Sequence, residues 1–296
     1  MNKIIFHIGF PRTGSTYLQK KIFSKIKNIN FLGKPFKNKA NILFKEFEKD
    51  IFNYDEIFYK QKKIYLSKKI KKKFNKKVNV FSHEGLLRNT RFFEKTHKYY
   101  KGNNYSNSLR RIYEILKLIT QKKNIYFMIF VRKQVDILPS YYSNFWESEY
   151  QINKKIDFEQ FIGNCLDKKT FNFGKIIDYN QLFIFLSSFI PKKNIIFLSY
   201  EKFFLKDQKT LEKFSSVLEI KKQEVDKLIL QKKINSNKKN QFFYYKNLRE
   251  FFPKFMKKRF TLNSKIKKKI FIFYRASNLK LDKKIKLLKL KSSGYY

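Results

Sequence analysis

The stretch of this chain best equipped for chemistry is Gly9-Phe10-Pro11-Arg12-Thr13-Gly14-Ser15-Thr16. Glycines at both ends let backbone N–H groups turn inward, and a helix starting where the loop stops adds partial positive charge, so the segment can cradle an anion. The glycines fall where a nucleotide-binding G-x-x-x-x-G-K-[ST] loop has them. Ser15, however, stands where that loop carries lysine, and the cation has moved to Arg12. Thr13, Ser15 and Thr16 supply hydroxyl donors. Two other segments place polar chemistry at the end of an apolar run. VNVFSHE closes on Ser82-His83-Glu84, with Ser82 and Glu84 on one face and His83 on the other. A carboxylate at the carboxyl end of a parallel strand lies where α/β sheets bind ligands. NIYFMIFV closes on Arg132, whose guanidinium matches phosphate with a forked, charged contact.

The elements that must position these groups follow from periodicity. Lys3–Phe10 is apolar and β-branched, too short for a helix, and reads as a buried strand. Thr16–Ile26 switches to helical spacing, with Leu18, Ile22 and Ile26 on one side. Strands are expected at Asn30–Gly33, Val78–Glu84, Asn124–Val131 and Asn194–Tyr200; the continuous apolar run before Arg132 suits a central parallel strand. Helices are expected over Ala40–Tyr59, Ile64–Phe74, Ser106–Lys122, Asp157–Leu166, Tyr179–Phe189, Lys209–Leu218 and Glu224–Leu230. Beyond the polar, basic break at Lys232–Asn240, the pattern predicts basic amphipathic helices over Gln241–Phe260 and Asn263–Leu279. A short basic helix is expected over Asp282–Ser292, before a frayed Gly294-Tyr295-Tyr296 end.

A chain of 296 residues that is 43% hydrophobic can bury a full core as one domain. The formal net charge of +45 points to an anionic partner, although Lys, Asn, Ile, Phe and Tyr dominate in a way that composition alone can produce. A single cysteine, Cys165, excludes a disulfide framework and a cysteine-rich metal site, and fits a reducing, cytoplasmic compartment. His7, His83 and His97 are scattered without metal-ligand spacing, so no metal is expected. The first apolar run is short and stops at Pro11-Arg12, unlike a signal peptide, and no stretch reaches the roughly 20 apolar residues of a spanning helix.

Taken in order, these motifs resemble the sulfotransferases that use 3′-phosphoadenosine-5′-phosphosulfate (PAPS), over roughly Lys3 to Asn240. That family carries Lys or Arg within the 5′-phosphosulfate loop, as Arg12 is here. It also carries an Arg at a strand end with a Ser eight residues later, the spacing of Arg132 and Ser140. The resemblance implies a three-layer α/β/α, P-loop-like domain with a central, mainly parallel sheet. A nucleotide core would cover about 1–240 and a basic helical part about 241–296. It implies that Arg12, Thr13, Gly14, Ser15 and Thr16 hold the 5′-phosphosulfate, and that Arg132 and Ser140 grip the 3′-phosphate. Glu84, or alternatively His83, would be the base for the acceptor. Asn235 and Asn237 would belong to a loop closing over the nucleotide. The Arg loop and Ser-x-Glu look more like glycan-modifying members than phenol-sulfating ones, which implies a carbohydrate acceptor and makes nucleic acid an unexpected partner. The competing readings are a P-loop kinase or NTPase, which would need Mg²⁺ and the missing loop lysine, and a non-enzymatic protein that binds polyanions.

Overall fold

The computed structural model describes residues 2–10, 12–33, 56–83, 105–152, 157–167, 173–229, 241–245 and 257–296. These residues pack as two compact units. The first draws on residues up to 83, on 105–131 and on 183–229; the second on 132–182 and 241–296.

The first unit is built on a five-stranded sheet of β1 (Lys3–Ile8), β2 (Ile29–Gly33), β3 (Val78–His83), β4 (Ile125–Val131) and β5 (Ile195–Ser199). Their spatial order is β2-β3-β1-β4-β5, and every neighbouring pair is parallel. After Lys3, every residue of β1 is buried. Successive side chains of a strand point to opposite faces, so both faces of the central strand are covered, as a parallel sheet requires. On one face Phe6 stacks on Phe81 and packs against Phe127, which meets Tyr113. On the other, His7 lies edge-on to Phe23 and Phe130, with Phe203 and Phe214 completing the cluster.

The first helices of this unit among the described residues are α1 (Ser15–Tyr17), α2 (Glu56–Lys71) and α3 (Tyr105–Lys117). After α1 the chain continues in π-type turns over Leu18–Phe23, closed by Ser24 N–H to the Gln19 carbonyl. Leu18, Ile22 and Ile26 are buried as their spacing predicts. In α2 no break separates Tyr59 from Ile64. Tyr59, Leu66 and Ile70 form its buried stripe, and the Tyr59 hydroxyl donates to the Arg111 carbonyl of α3 at 2.9 Å. Arg111 is itself buried, held by the Tyr59 ring and by Glu56 at 3.0 Å.

The second unit contains α4 (Gln134–Ile152), α5 (Phe158–Cys165) and α6 (Phe173–Ile176). The helix α7 (Tyr179–Ser187) comes next in the chain. Back in the first unit, the helices α8 (Tyr200–Phe204), α9 (Gln208–Leu218) and α10 (Lys222–Leu228) follow β5. The expected helix over Gln241–Phe260 is not what forms. Gln241–Tyr245 (β6) and Lys257–Thr261 (β7) are strands paired antiparallel, Phe242 opposite Phe260. The aromatic run QFFYY has stronger strand than helix preference, and cross-strand pairing decides the matter. The last helix, α11 (Ser264–Lys284), begins on an Asn263 side chain that accepts the Ile266 N–H at 2.8 Å.

The carboxyl end also differs from its sequence pattern. No separate helix spans 282–292: α11 extends to Lys284, and turns follow. Nor is the end frayed, because Tyr295 is 1% exposed. The Asn278 amide donates to the Tyr295 carbonyl, Asp282 accepts from Leu290 N–H, and the Tyr296 hydroxyl donates to Asp282. Burial of the Tyr295 ring fixes a segment that its polar neighbours alone would have left loose.

Candidate active site

Parallel strands send all their carboxyl ends to one edge of the sheet, and the loop leaves β1 there. In the loop Arg12 has φ 69° and Gly14 φ 76°. Glycine adopts that conformation freely, whereas for Arg12 it costs on the order of 1–3 kcal/mol, so the surrounding contacts hold Arg12 where it is. They are short and local. The Thr13 hydroxyl donates to the Phe10 carbonyl at 2.8 Å, the Ser15 hydroxyl reaches the same oxygen at 3.4 Å, and Thr13 N–H bonds it at 3.3 Å. Thr13 and Ser15 are therefore buried and turned toward the loop's own backbone, while Arg12 and Thr16 lie on the exposed side. The first amides of a helix have no intrahelical acceptor, which leaves the start of α1 suited to an anion.

The loop is seated on the helix that follows β5. A Cβ on Gly14 would come within 2.9 Å of the Tyr200 ring and 3.0 Å of the Phe204 ring. Tyr17 packs edge-on to Phe204, and its hydroxyl donates to the Leu228 carbonyl at 2.8 Å. In the sequence Tyr200 is only the last residue of an expected strand. Its position at a strand end, on the ligand side of the sheet, is the signal that ties Tyr200 to the loop.

Ser82 has a task that its place before Glu84 does not suggest. It is fully buried on β3; its hydroxyl oxygen accepts from the Gln19 amide at 2.8 Å and shares a 2.7 Å bond with His7 Nδ1. The bridge ties the turns after the loop to the central and neighbouring strands. Burial pushes the His7 imidazole down to about 3 from 6.5. The sign follows directly. Between these values the unfolded chain binds a proton at His7 that the folded chain refuses, so this stability is complete above pH 6.5 and is lost as pH falls toward 3. The expected slope is about 1.4 kcal/mol per pH unit inside that window. Denaturant melts from pH 7 to 4 should be visibly flatter for His7→Asn, which keeps a polar atom near Nδ1 without titrating; equal slopes would show that His7 does not set the acid limit.

His83 ends β3 opposite Ile8, the last residue of β1. Glu84 lies outside the described residues, as do Asn235 and Asn237. In the second unit, Arg132 follows directly on β4 and Ser140 sits in the second turn of α4, 6% exposed. The Arg132 backbone is clamped by one side chain: the Tyr179 hydroxyl donates to its carbonyl at 2.6 Å and accepts its N–H at 3.2 Å. The start of α4 is locked by a buried amide pair. Gln134 and Asn278 each donate to the other at 3.1 Å, and Gln134 also donates to the Ile177 carbonyl. Neither Tyr179 nor Asn278 announces itself in the sequence, since each works on residues far away in the chain.

A parallel α/β sheet carrying a glycine-cornered, arginine-bearing loop after its central strand is an architecture of the phosphate-loop class. The model of the sulfotransferase domain matches residues 3–294, so the chain belongs to the sulfotransferase family and is an enzyme that takes its sulfuryl group from PAPS. The kinase and polyanion-binding readings give way to it. A sulfotransferase from Alicyclobacillus acidocaldarius aligns over 99% of this chain and 98% of its own, with TM-score 0.55 and 12% identity, a likeness of fold. The sulfotransferase domain from the curacin biosynthetic pathway covers 78% of each chain at TM-score 0.43 and 13% identity. A mouse sulfotransferase complexed with PAP, 3′-phosphoadenosine-5′-phosphate, covers 76% of this chain and 62% of its own, at 0.40 and 15%. No curated protein is significantly similar in sequence. Among the described residues no helix is long and apolar enough to cross a membrane.

Proposed function

We propose that the enzyme transfers the sulfuryl group of PAPS to a hydroxyl or amine of a carbohydrate, and that the motifs above divide the work. The amides at the start of α1, with Arg12, Thr13, Gly14, Ser15 and Thr16, hold the 5′-phosphosulfate, Thr13 and Ser15 by bracing the loop through the Phe10 carbonyl rather than by offering their hydroxyls. Arg132 and Ser140 grip the 3′-phosphate, and Asn235 and Asn237 belong to a loop that closes over the nucleotide. Glu84, with His83 as the alternative, takes the acceptor proton. The acceptor oxygen or nitrogen attacks sulfur, the bond from sulfur to the bridging phosphate oxygen breaks, and the electron pair leaves on the phosphate, where Arg12 offsets it. Positioning and charge supply most of such a reaction, by analogy with phosphoryl transfer.

The observation that carries this reading is the match of the family model over residues 3–294, with an arginine loop after β1 and an arginine directly after β4. The carbohydrate part rests on the Arg12 loop and the Ser82-x-Glu84 pattern. Incubation with labelled PAPS and a panel of polysaccharides and phenols tests it, and transfer to phenols alone would refute it.

The nucleotide assignments have a sharper test. PAP should raise the melting temperature well above the shift given by ADP or by ATP with Mg²⁺. Arg132→Ala should weaken PAP by about 10- to 100-fold, the scale of one lost charged hydrogen bond, and ADP by much less. Tyr179→Phe should move the same ratio in the same direction by a few-fold, because it frees the Arg132 backbone without removing the charge. Equal weakening of PAP and ADP would take the 3′-phosphate away from Arg132.

A further inference from the structure

We propose that the amino-terminal edge of the sheet carries a second anion site, built to take a phosphate or sulfate group, free or as an ester. In a parallel sheet all strands start at one edge, so this site and the loop after β1 lie at opposite ends of the strand, about 20 Å apart for six residues.

The site is a cavity of about 450 Å³ lined by Lys3, Lys123, Lys193 and Lys213, with Asn124 and Ser216. No carboxylate is among its lining residues. Two of the lysines arrive by the same local device. Lys122-Lys123-Asn124 and Lys192-Lys193-Asn194 are both single 3₁₀ turns, and each is followed by isoleucine and a strand, β4 and β5. The turns are fastened together. Asn194 is fully buried, and its amide donates to the carbonyls of Lys122, Lys123 and Ile125 at 3.0, 3.3 and 2.8 Å. Lys123 and Lys193 therefore project from one rigid corner rather than from two independent surface loops.

Lys3 supplies the inner wall. Its side chain is only 14% exposed, and its ammonium lies over the Tyr126 ring at 4.7 Å and pairs with Glu219 at 3.3 Å. Glu219 also pairs with Lys77 at 2.9 Å, so one carboxylate beside the cavity is shared between two lysines. Burial lowers the Lys3 ammonium from its ordinary value, Glu219 opposes this, and Lys77 and Lys213 add to the lowering. An anion entering here relieves the repulsion between Lys3 and Lys213. Asn124 lines the same cavity, with its side-chain nitrogen buried behind the wall and without a hydrogen-bond partner among the described residues. A partly enclosed basic cavity with no carboxylate in its lining fits a compact oxyanion better than the open face of a polymer.

The test is calorimetric titration of inorganic pyrophosphate into protein already saturated with PAP, at about physiological salt, where exposed charges are screened beyond roughly 8 Å. Lys123→Ala with Lys193→Ala is compared with Lys268→Ala with Lys269→Ala, which removes the same charge from the exposed side of α11. One site is expected in the parent and in the α11 variant, at least tenfold weaker in the cavity variant, with PAP affinity unchanged in all three. Equal affinity in both variants would show only a generally basic surface, and no pyrophosphate binding to the parent would overturn the site. Glucose 6-phosphate titrated beside inorganic phosphate separates the two sources, the tighter of the pair being the form the cavity takes.

Discussion

Replacing Glu84 by glutamine should lower turnover by about 10²- to 10⁴-fold, the usual worth of a positioned general base, and leave PAP binding unchanged. The substitution keeps size and hydrogen bonding but removes the proton acceptor. Single-turnover transfer from labelled PAPS measures the rate, and the thermal shift with PAP measures binding. His83→Asn is the necessary companion. If it abolishes turnover while Glu84→Gln is active, the base is His83, and the two residues exchange roles across the end of β3. If neither falls, no base comes from this strand. Ser82→Ala will not serve as a control for the motif, because Ser82 holds Gln19 and His7. Its loss unpairs buried polar groups and should cost about 1–3 kcal/mol of stability.

Arg12→Ala should cut the rate of sulfuryl transfer by about 10²- to 10³-fold, comparable to the loss of one donor to a developing oxyanion. Alanine at this position meets the same left-handed backbone as arginine, φ 69°, so the change reads charge rather than loop strain. Arg12→Lys should recover part of the rate, since it restores the charge without the forked geometry. A full-rate Arg12→Ala enzyme would mean that the loop amides and the start of α1 carry the leaving group alone.

Much of this site is legible in the sequence because its parts are local. Lys3–Ile22 contains strand, loop and helix start in one stretch, and Arg132 sits at the end of a continuous apolar run of the kind expected of a central parallel strand. Hydrophobic periodicity likewise gives β1, β3, β4 and β5 to within a residue or two at each end. What the sequence hides is cooperative over distance. Thr13 and Ser15 read as ligand donors, yet both hydroxyls brace the Phe10 carbonyl, a geometry set by the turn rather than by residue type. Tyr179 and Asn278 fasten Arg132 and Gln134 through pairings that no spacing encodes. The Gln241–Tyr245 and Lys257–Thr261 strands are hidden for another reason: the spacing of lysine and aromatic residues fits a helical period as well as a strand, and it masks the strand preference of QFFYY that pairing with the second strand brings out.

The position of β1 governs how this protein must be made. Of the five strands of this sheet, β1 comes earliest in the chain and lies innermost, so its Ile4 finds its partners only when Asn79, and later Ile125, have been synthesised. Until then an almost wholly apolar strand has both edges unpaired, an invitation to intermolecular pairing. Long-range parallel pairing is intrinsically slow to form. The nascent chain therefore carries the loop after β1 on a strand that cannot pair until β3 and β4 follow, and the dense lysine of the intervening 56–77 segment, by keeping neighbouring chains apart, is well placed to carry it through that interval.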